Sequence, residues 1–520
     1  MSTTLTHAPD GKPLHRGFIT ISIMLATVMQ ALDTTIANVA LPHMQGTLSA
    51  TSEQISWVLT SYIVAAAIMT PPTGILAERF GRKNVFLVCV AGFTIVSMLC
   101  GIATNLPEMI VFRLLQGVFG AALVPLSQSV LLDINPKEKQ GQAMAIWGMG
   151  VMLGPILGPT LGGWLTEYYN WRWVFFINLP IGILAFIGMS AFMPHSERSN
   201  KRRFDWFGFL CLSLAIGAIQ MTMDRGETKD WFSSMEIILE AGLASIAFYM
   251  FVVHVLTAKH PFFDPAMFKD RNYSFCLIFI FVIGIILLAT MALLPPFLQG
   301  LMGYPVITTG LVLAPRGVGT MVAMMIVGKL MNKVDARRLI LFGLLLTAWT
   351  LWETSRFNLN VPVHDIVWTG IVQGFGMGFV FVPLSTIAYA TLNPKFRNDA
   401  TSIFSLIRNI GSSLGIAAMI ALATRNGQIN HEELGAHLTP FNPVTGLAMD
   451  GLQTATSISD TGALAYLNAE VTRQAMAISY LNDFHLMMFV VLASTPLLLL
   501  MKPVSMKSKK EEPGHAAVME

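Results

Sequence analysis

Asp33 and Arg113 are the residues best placed to do chemistry, because each interrupts a long apolar run, residues 18–41 and 107–132. An ionisable side chain at mid-membrane costs roughly 2.5–3.5 kcal/mol on insertion scales, so one that is kept there signals function. At about 1.5 Å of rise per residue, Asp33 lies ~12 Å and Arg113 ~9 Å from the same edge of their runs. Matched depths let the two pair if their helices meet. Burial raises a carboxylate pKa and a neighbouring Arg lowers it, so making and breaking that contact can drive proton uptake and release. A static ion pair is the plainer alternative.

Other residues extend this set. Gln116, Gly117 and Gly120 follow Arg113 at i+3, i+4 and i+7, on one helical face. Arg316 and Arg408 lie near the middle of two later runs, while Glu353, Asp365, Asp399 and Asp483 all fall near run ends. These arginines therefore face backbone, polar side chains or an aqueous path. Together with Gln30, Asn38, Gln116 and Gln373 they are candidates to line a cavity. Spare positive charge there suits hydrophobic weak acids or neutral amphiphiles better than dications. The 32 Met and 33 Phe include side chains that suit a promiscuous pocket, although most pack helices or face lipid.

Two glycine patterns bear on motion. Gly74-Ile-Leu-Ala-Glu78-Arg79-Phe-Gly81-Arg82-Lys83 lies between two runs. Its glycines allow a tight turn, and its charges can lock neighbouring helix ends, so it is expected to be a gating loop. Gly150, Gly154, Gly158 and Gly162 recur every four residues, with Gly163, Pro155 and Pro159 among them. Small residues at that spacing make a groove for a partner helix, and the prolines suggest a bend, so a hinge is expected and pure packing is the alternative.

Enzymatic readings fail on context. Gly411-Ser412-Ser413-Leu414-Gly415 matches a nucleophile-elbow pattern but lies in an apolar helix rather than a strand–turn–helix. His431-Glu432 followed by His437 has the wrong spacing for a zinc site, and no nucleotide phosphate loop is present. Cys89, Cys100, Cys211 and Cys276 lie in apolar stretches without metal or disulfide spacing.

The elements that must position these residues follow from composition. The 520 residues are 54% hydrophobic and 12% charged, with net charge +3 and mean hydropathy +0.60. No water-soluble fold of this size hides so much apolar surface, and the small, scattered charge excludes nucleic acid as a partner. Fourteen apolar runs are long enough to read as membrane helices: 18–41, 54–76, 84–104, 107–132, 141–166, 172–193, 206–223, 235–257, 272–299, 308–331, 337–354, 363–390, 399–424 and 480–502. The first is too long for a signal peptide and lacks a small-x-small cleavage site. Continuous rather than alternating hydrophobicity implies helices, hence an all-α polytopic membrane protein. With the N-terminus inside, the outer segments hold only Arg172, Arg225, Lys229, Arg356, Arg425 and Arg473 of the Lys and Arg, as the positive-inside rule requires. Both termini are then cytoplasmic.

An internal repeat orders the runs. Val124-Pro125-Leu126-Ser127 recurs at 382–385, Asn135-Pro136-Lys137 at 393–395, and Gln116-Gly117 as Gln373-Gly374. Gly74, followed by Arg82-Lys83, recurs as Gly328, followed by Arg337-Arg338. Runs 1–6 thus match runs 9–14, and runs 7 and 8 are an insert expected at the periphery. Two related six-helix halves are a transporter arrangement, with the substrate path at their interface. The chain divides into an N-terminus (1–17), a first half (18–193), a basic linker with the inserted pair (194–271), a second half (272–502) containing a long loop (425–479), and a tail (503–520).

The 74–83 motif, the Arg113-x-x-Gln-Gly run and the Gly-Pro-rich fifth run resemble signatures of the major facilitator superfamily. Leu32-Asp33-Thr34-Thr35 through Pro42, and Trp171-Arg172-Trp173 through Pro180, resemble its fourteen-span drug:proton antiporters of the EmrB/QacA type. Asp224-Arg225-Gly226, Asp230-Trp231-Phe232 and Phe441-Asn442-Pro443 are closest to the EmrB branch. Glu78 stands where the superfamily usually has Asp. The second-half loop departs further, with Asn332 at the acidic position and Asp335 at the second glycine. The resemblance implies the major facilitator fold and the bacterial inner membrane. It implies proton coupling at Asp33 and Arg113, the proton gradient in place of any cofactor, and efflux of hydrophobic small molecules from the cytoplasm or inner leaflet. It further implies membrane lipids as surroundings, a periplasmic adaptor (EmrA-like) reaching the 425–479 loop, and an outer-membrane channel (TolC-like). A dedicated exporter of one metabolite, such as a siderophore or fatty acid, is the rival on the same fold. A non-transporting receptor is a third reading.

Overall fold

The computed structural model describes residues 15–194 and 204–503, apart from 332, 440 and 457–458, together with a few side chains including that of Pro159. Most of the 1–17, 194–205 and 503–520 segments therefore lies outside the described residues. The first half comprises α1 (Arg16–Thr47), α2 (Ser52–Met69), α3 (Thr73–Phe80), α4 (Arg82–Ile102), α5 (Leu106–Gly120), α6 (Leu123–Ile134), α7 (Lys137–Tyr168), α8 (Trp173–Phe176) and α9 (Asn178–Phe192). The insert is α10 (Trp206–Arg225) and α11 (Met235–Thr257). The second half comprises α12 (Arg271–Pro296), α13 (Val306–Leu330), α14 (Ala336–Thr354), α15 (Val363–Ala390), α16 (Arg397–Ala436), α17 (Pro443–Thr456) and α18 (Asp460–Ser494).

Polar residues between the runs set helix starts. Thr51 and Gln54 form a reciprocal capping box at α2. Asn105, Asp205, Asp270 and Ser459 cap α5, α10, α12 and α18 by accepting from backbone N–H groups. Among the described residues, twelve helical stretches are long and apolar enough to cross a membrane. α2 and α3, bent by 58° at their break, make a thirteenth. α14 is the remaining expected run, but Arg337, Arg338 and Glu353 fall within its 19 residues and leave too short an apolar stretch between them.

The repeat is visible in the packing. Gly154 and Gly158 of α7 sit against Ala31 and Thr35 of α1, and Gly411 and Gly415 of α16 sit against Phe281 and Ile285 of α12. The Gly411–Gly415 pattern is thus a helix contact. α7 and α13 carry the seam between the halves, where Gly141 meets Met331, Gly148 meets Met324 and Gly317 meets Ile156. Trp147 is fully buried in this seam, donating to Ser127 at 2.7 Å and stacking on Phe381 at 5.9 Å between ring centroids.

Two expected loops are helical. In the 74–83 motif, residues through Phe80 complete α3, and Arg82 and Lys83 open α4. The turn is confined to Gly81, whose φ of 86° is open to glycine and strained for other residues. The 425–479 segment continues α16 to Ala436, forms α17, and begins α18 at Asp460. Asn430 donates to the Ala475 carbonyl at 3.3 Å and His431 contacts Asn468 at 3.1 Å, so the two helix extensions pair. An apolar-run reading stops where polarity begins, whereas Ala-, Glu- and Gln-rich sequence continues a helix readily.

Candidate functional site

Asp33 and Arg113 meet, and both are fully buried. Arg113 Nη1 donates to Asp33 Oδ2 at 2.7 Å and to Gln116 Oε1 at 2.7 Å, and Nε donates to the Val58 carbonyl at 3.0 Å. The guanidinium lies 4.4 Å from the Tyr62 ring centroid and 5.7 Å from that of Phe175. Asp33 Oδ1 accepts from Gln116 Nε2 at 2.8 Å and from Asn178 Nδ2 at 3.0 Å. Asn178 also donates to Ser97 Oγ at 2.9 Å, and Ser97 donates to the Phe175 carbonyl at 2.9 Å. A buried ion pair persists only when its remaining lone pairs and protons are satisfied, and this shell supplies most of that.

Glycines bring these helices together. A Cβ on Gly117 would stand 2.4 Å from the Tyr62 carbonyl, and one on Gly120 would stand 3.0 Å from the Tyr62 hydroxyl. Bare positions on α5 therefore let α2 press close, and Arg113, one turn from Gly117, reaches the α2 backbone. Gln30 donates to the Tyr62 hydroxyl at 3.2 Å and belongs to the outer part of this shell. Asn38 does not join it. It is exposed, more than a turn along α1. Asn178, Tyr62 and Ser97 were not among the expected site residues.

The second half lacks this pairing. Among the described residues, no acidic side chain pairs with Arg316 on α13 or Arg408 on α16. Arg316 Nη2 is buried without a hydrogen-bond partner, as is Nε2 of Gln373, which is 3% exposed. Gln373 stands beside Gly374, whose bare position abuts the Arg316 carbonyl. Unpaired donors on facing helices make this half a candidate acceptor of anions.

The 74–83 motif joins the halves at one end. Asp133 of α6 binds Arg82 of α4 and, at 2.5 Å, Arg397 of α16. Ser129 donates to Asn398 at 2.7 Å. A Cβ on Gly74 would collide with the Asp399 carboxyl, so Gly74 permits α3 to touch the other half. Lys83 is nearly buried and donates to the Ser190 carbonyl at 2.8 Å. Glu78 is half-buried, and Arg79 is exposed beside Phe80. In the second-half copy, Asn332 lies outside the described residues. Asp335 there caps α14 and binds Arg337 at 2.8 Å, a local contact that holds its carboxyl below the usual range.

The glycine row on α7 faces α1 of its own half rather than the seam. Gly150 meets Met24, Gly154 meets Ala31, Gly158 meets Thr35 and Gly162 meets Ile36. Gly163 has nothing within 4 Å of its Cβ position. The helix runs unbroken through Pro155 and Pro159. Thr35 donates to the Gly154 carbonyl at 3.0 Å, a contact that needs this close approach. The groove that the spacing forms is filled by α1.

Residues 23–416 match the Major Facilitator Superfamily. The chain is 36% identical to the fatty acid resistance protein FarB of Neisseria gonorrhoeae over 95% of its length and 98% of that protein. It is 35% identical to the multidrug export protein EmrB of Escherichia coli K12, covering 89% of the chain and 90% of EmrB. The fold is shared with the human organic anion transporter MFSD10 at a TM-score of 0.58 and 14% identity, covering 92% of this chain and 99% of that one. A bacterial homologue of the lysosomal transporter Spinster, inward-facing and occupied, aligns at a TM-score of 0.52 and 17% identity over 94% and 96% of the two chains. A charged pair walled in at the heart of one half, a second half built on the same plan, and this likeness over nearly the whole length place the chain in the Major Facilitator Superfamily, beside EmrB and FarB.

Proposed function

We propose that this protein is a proton-driven exporter of hydrophobic and amphiphilic compounds, working from the cytoplasm or inner leaflet of a bacterial inner membrane with both termini inside. The buried Asp33–Arg113 contact carries the reading. It unites a carboxylate that can take a proton with a cation that competes for it. When Arg113 is drawn off, Asp33 takes a proton; when the contact re-forms, the proton leaves. The Asp133 bridge between the halves supports alternating access, since motion must break it when that end opens. Export by purified protein in proteoliposomes should follow an imposed pH gradient and stop when an ionophore collapses it. Export that persists without the gradient overturns the reading.

Arg316 and Arg408 favour anionic amphiphiles among the substrates. A hydrogen bond to a charged group is worth about 1.5–3 kcal/mol, so Arg316→Gln and Arg408→Gln should each raise KM for a carboxylate substrate by roughly ten- to a hundredfold. A neutral substrate of similar size should change little. Equal losses for both would remove the arginines from substrate binding. The name of FarB favours a second reading on the same site, a dedicated exporter of fatty acids. A compound panel in a pump-deficient strain separates the two.

The helical projection over 425–479 serves a periplasmic adaptor of the EmrA type, leading to a TolC-like channel. Phe441, Val444 and Leu447 at its tip are 94%, 70% and 73% exposed, an apolar surface suited to a protein partner. Replacing residues 430–470 with a short linker should abolish whole-cell resistance while transport in proteoliposomes stays normal. Unchanged resistance in cells that contain adaptor and channel refutes the docking role.

A further inference from the structure

The inserted pair packs on the bundle through α10, which touches α2 and α16, while α11 touches mainly α10. Its contacts from Asp224 and Arg225 to α2 fall on one turn of that helix. Asp224, near the end of α10, accepts a hydrogen bond from Thr60, which is 2% exposed. The neighbouring Arg225 lies 5.6 Å from the Trp57 ring centroid. Glu236 and Glu240 of α11 bind Arg225 at 2.6 and 3.2 Å. One turn back along α10, Gln220 donates to Ser413 of α16 at 2.8 Å.

The same turn of α2 holds Arg113 from its other side. Val58 accepts from Arg113 Nε, and Tyr62 stacks on the guanidinium. At about 100° per residue, positions 58 and 62 share one face of the helix and positions 57 and 60 lie roughly opposite. The α2 turn is therefore a wall with Arg113 on one side and the insert on the other.

We propose that the insert fixes the α2 turn that cradles Arg113, with Asp224 and Arg225 acting as positioning residues through Thr60 and Trp57. Gln220 ties the same helix to α16, so movement of the second half reaches the coupling pair through α10. The inference rests on the proposed role of Asp33 and Arg113. The two inserted helices then belong to the coupling machinery. Small displacements matter here, because ~1 Å of misplacement around a reacting group can cost a hundredfold.

The experiment is transport against pH in proteoliposomes for Asp224→Ala, Thr60→Val, the double variant and Asp224→Asn, with substrate binding measured in detergent. Asp224→Ala and Thr60→Val should each displace the pH profile of transport from that of the wild type, because the cation beside the proton-binding carboxylate is less firmly held. Substrate Kd should stay within about twofold. The double variant should be no worse than either single one, since both remove the same bond. Asp224→Asn keeps an acceptor oxygen for Thr60 and should restore most of the wild-type profile. An unchanged profile in Asp224→Ala and Thr60→Val overturns the proposal, as does a loss of substrate binding that parallels the loss of transport. Should Asp224→Ala fail to accumulate, Thr60→Val decides alone. Asp33→Asn in the same assay separates the two levels. If it keeps proton-driven transport the coupling reading fails, and if it loses it while Thr60→Val is normal, the insert proposal fails by itself.

Discussion

Asp33→Asn is expected to eliminate substrate-dependent proton release from the purified protein while leaving it inserted and folded. The exchange keeps the shape of the side chain and removes its charge. In the wild type, three donors converge on the carboxylate, from Arg113, Gln116 and Asn178. An amide accepts through one oxygen and brings N–H groups of its own, so it sets donor against donor. Arg113 is then buried without its counterion, a change that costs about 3–5 kcal/mol when nothing else compensates. Compensation exists here, because Val58, Gln116 and the Tyr62 face still hold the guanidinium. The fold should therefore survive at reduced stability. Proton release on substrate addition in weakly buffered detergent is the measurement. Release of wild-type size from the variant would remove Asp33 from the coupling step.

Much of this site was legible because its charges interrupt apolar runs. Asp33 and Arg113 are conspicuous for that reason alone, and Gln116 follows from helical spacing. Asn178 was not legible. It stands 145 residues from Asp33, and although it lies within the Trp171–Pro180 segment that carries the family resemblance, nothing in its spacing names its partner. Tyr62 and the Val58 carbonyl were invisible for a related reason, since an aromatic ring in a hydrophobic helix and a backbone atom have no sequence signature. The glycine row on α7 spells a groove, with a hinge between the halves as the favoured reading, but which helix fills it depends on tertiary arrangement. The filler is α1, and the seam is built instead from Gly141, Gly148 and Trp147.

The two halves share a plan and differ in chemistry. The first half neutralises its buried Arg with an acid, whereas Arg316 and Arg408 have none among the described residues. Charge on one side is thus committed to a partner, and on the other it has no acidic partner among the described residues. Asp133 and Arg397 link the halves at one end. Neither stood out in sequence, because an acid and a base near run ends usually reflect solvated edges. Under the proposed alternating access, rocking of the halves would break that bridge.

Arg113→Lys should recover little of the transport that Arg113→Ala loses. The guanidinium does several things from one rigid plane. Its Nε reaches Val58, its Nη1 reaches Asp33 and Gln116, and its face lies on Tyr62. A lysine ammonium supplies equal charge from a single nitrogen on a flexible stem, and it lacks the planar fork. An ammonium close to Asp33 forfeits the bond to Val58, and the α2 turn loses its anchor. Arg113→Ala leaves the Asp33 carboxylate buried without a counterion, and breaking a buried pair in this way costs about 3–5 kcal/mol. That variant should load its proton permanently and stop exchange. Arg113→Lys should bind substrate with nearly normal affinity yet turn over at less than about a tenth of the wild-type rate, a deficit of roughly 1.4 kcal/mol or more in the coupled step. Transport in proteoliposomes at matched protein density, with substrate Kd measured separately, distinguishes this from simple misfolding. Wild-type turnover in Arg113→Lys would mean that a point charge is sufficient, and that the contacts to Val58 and Tyr62 serve stability alone.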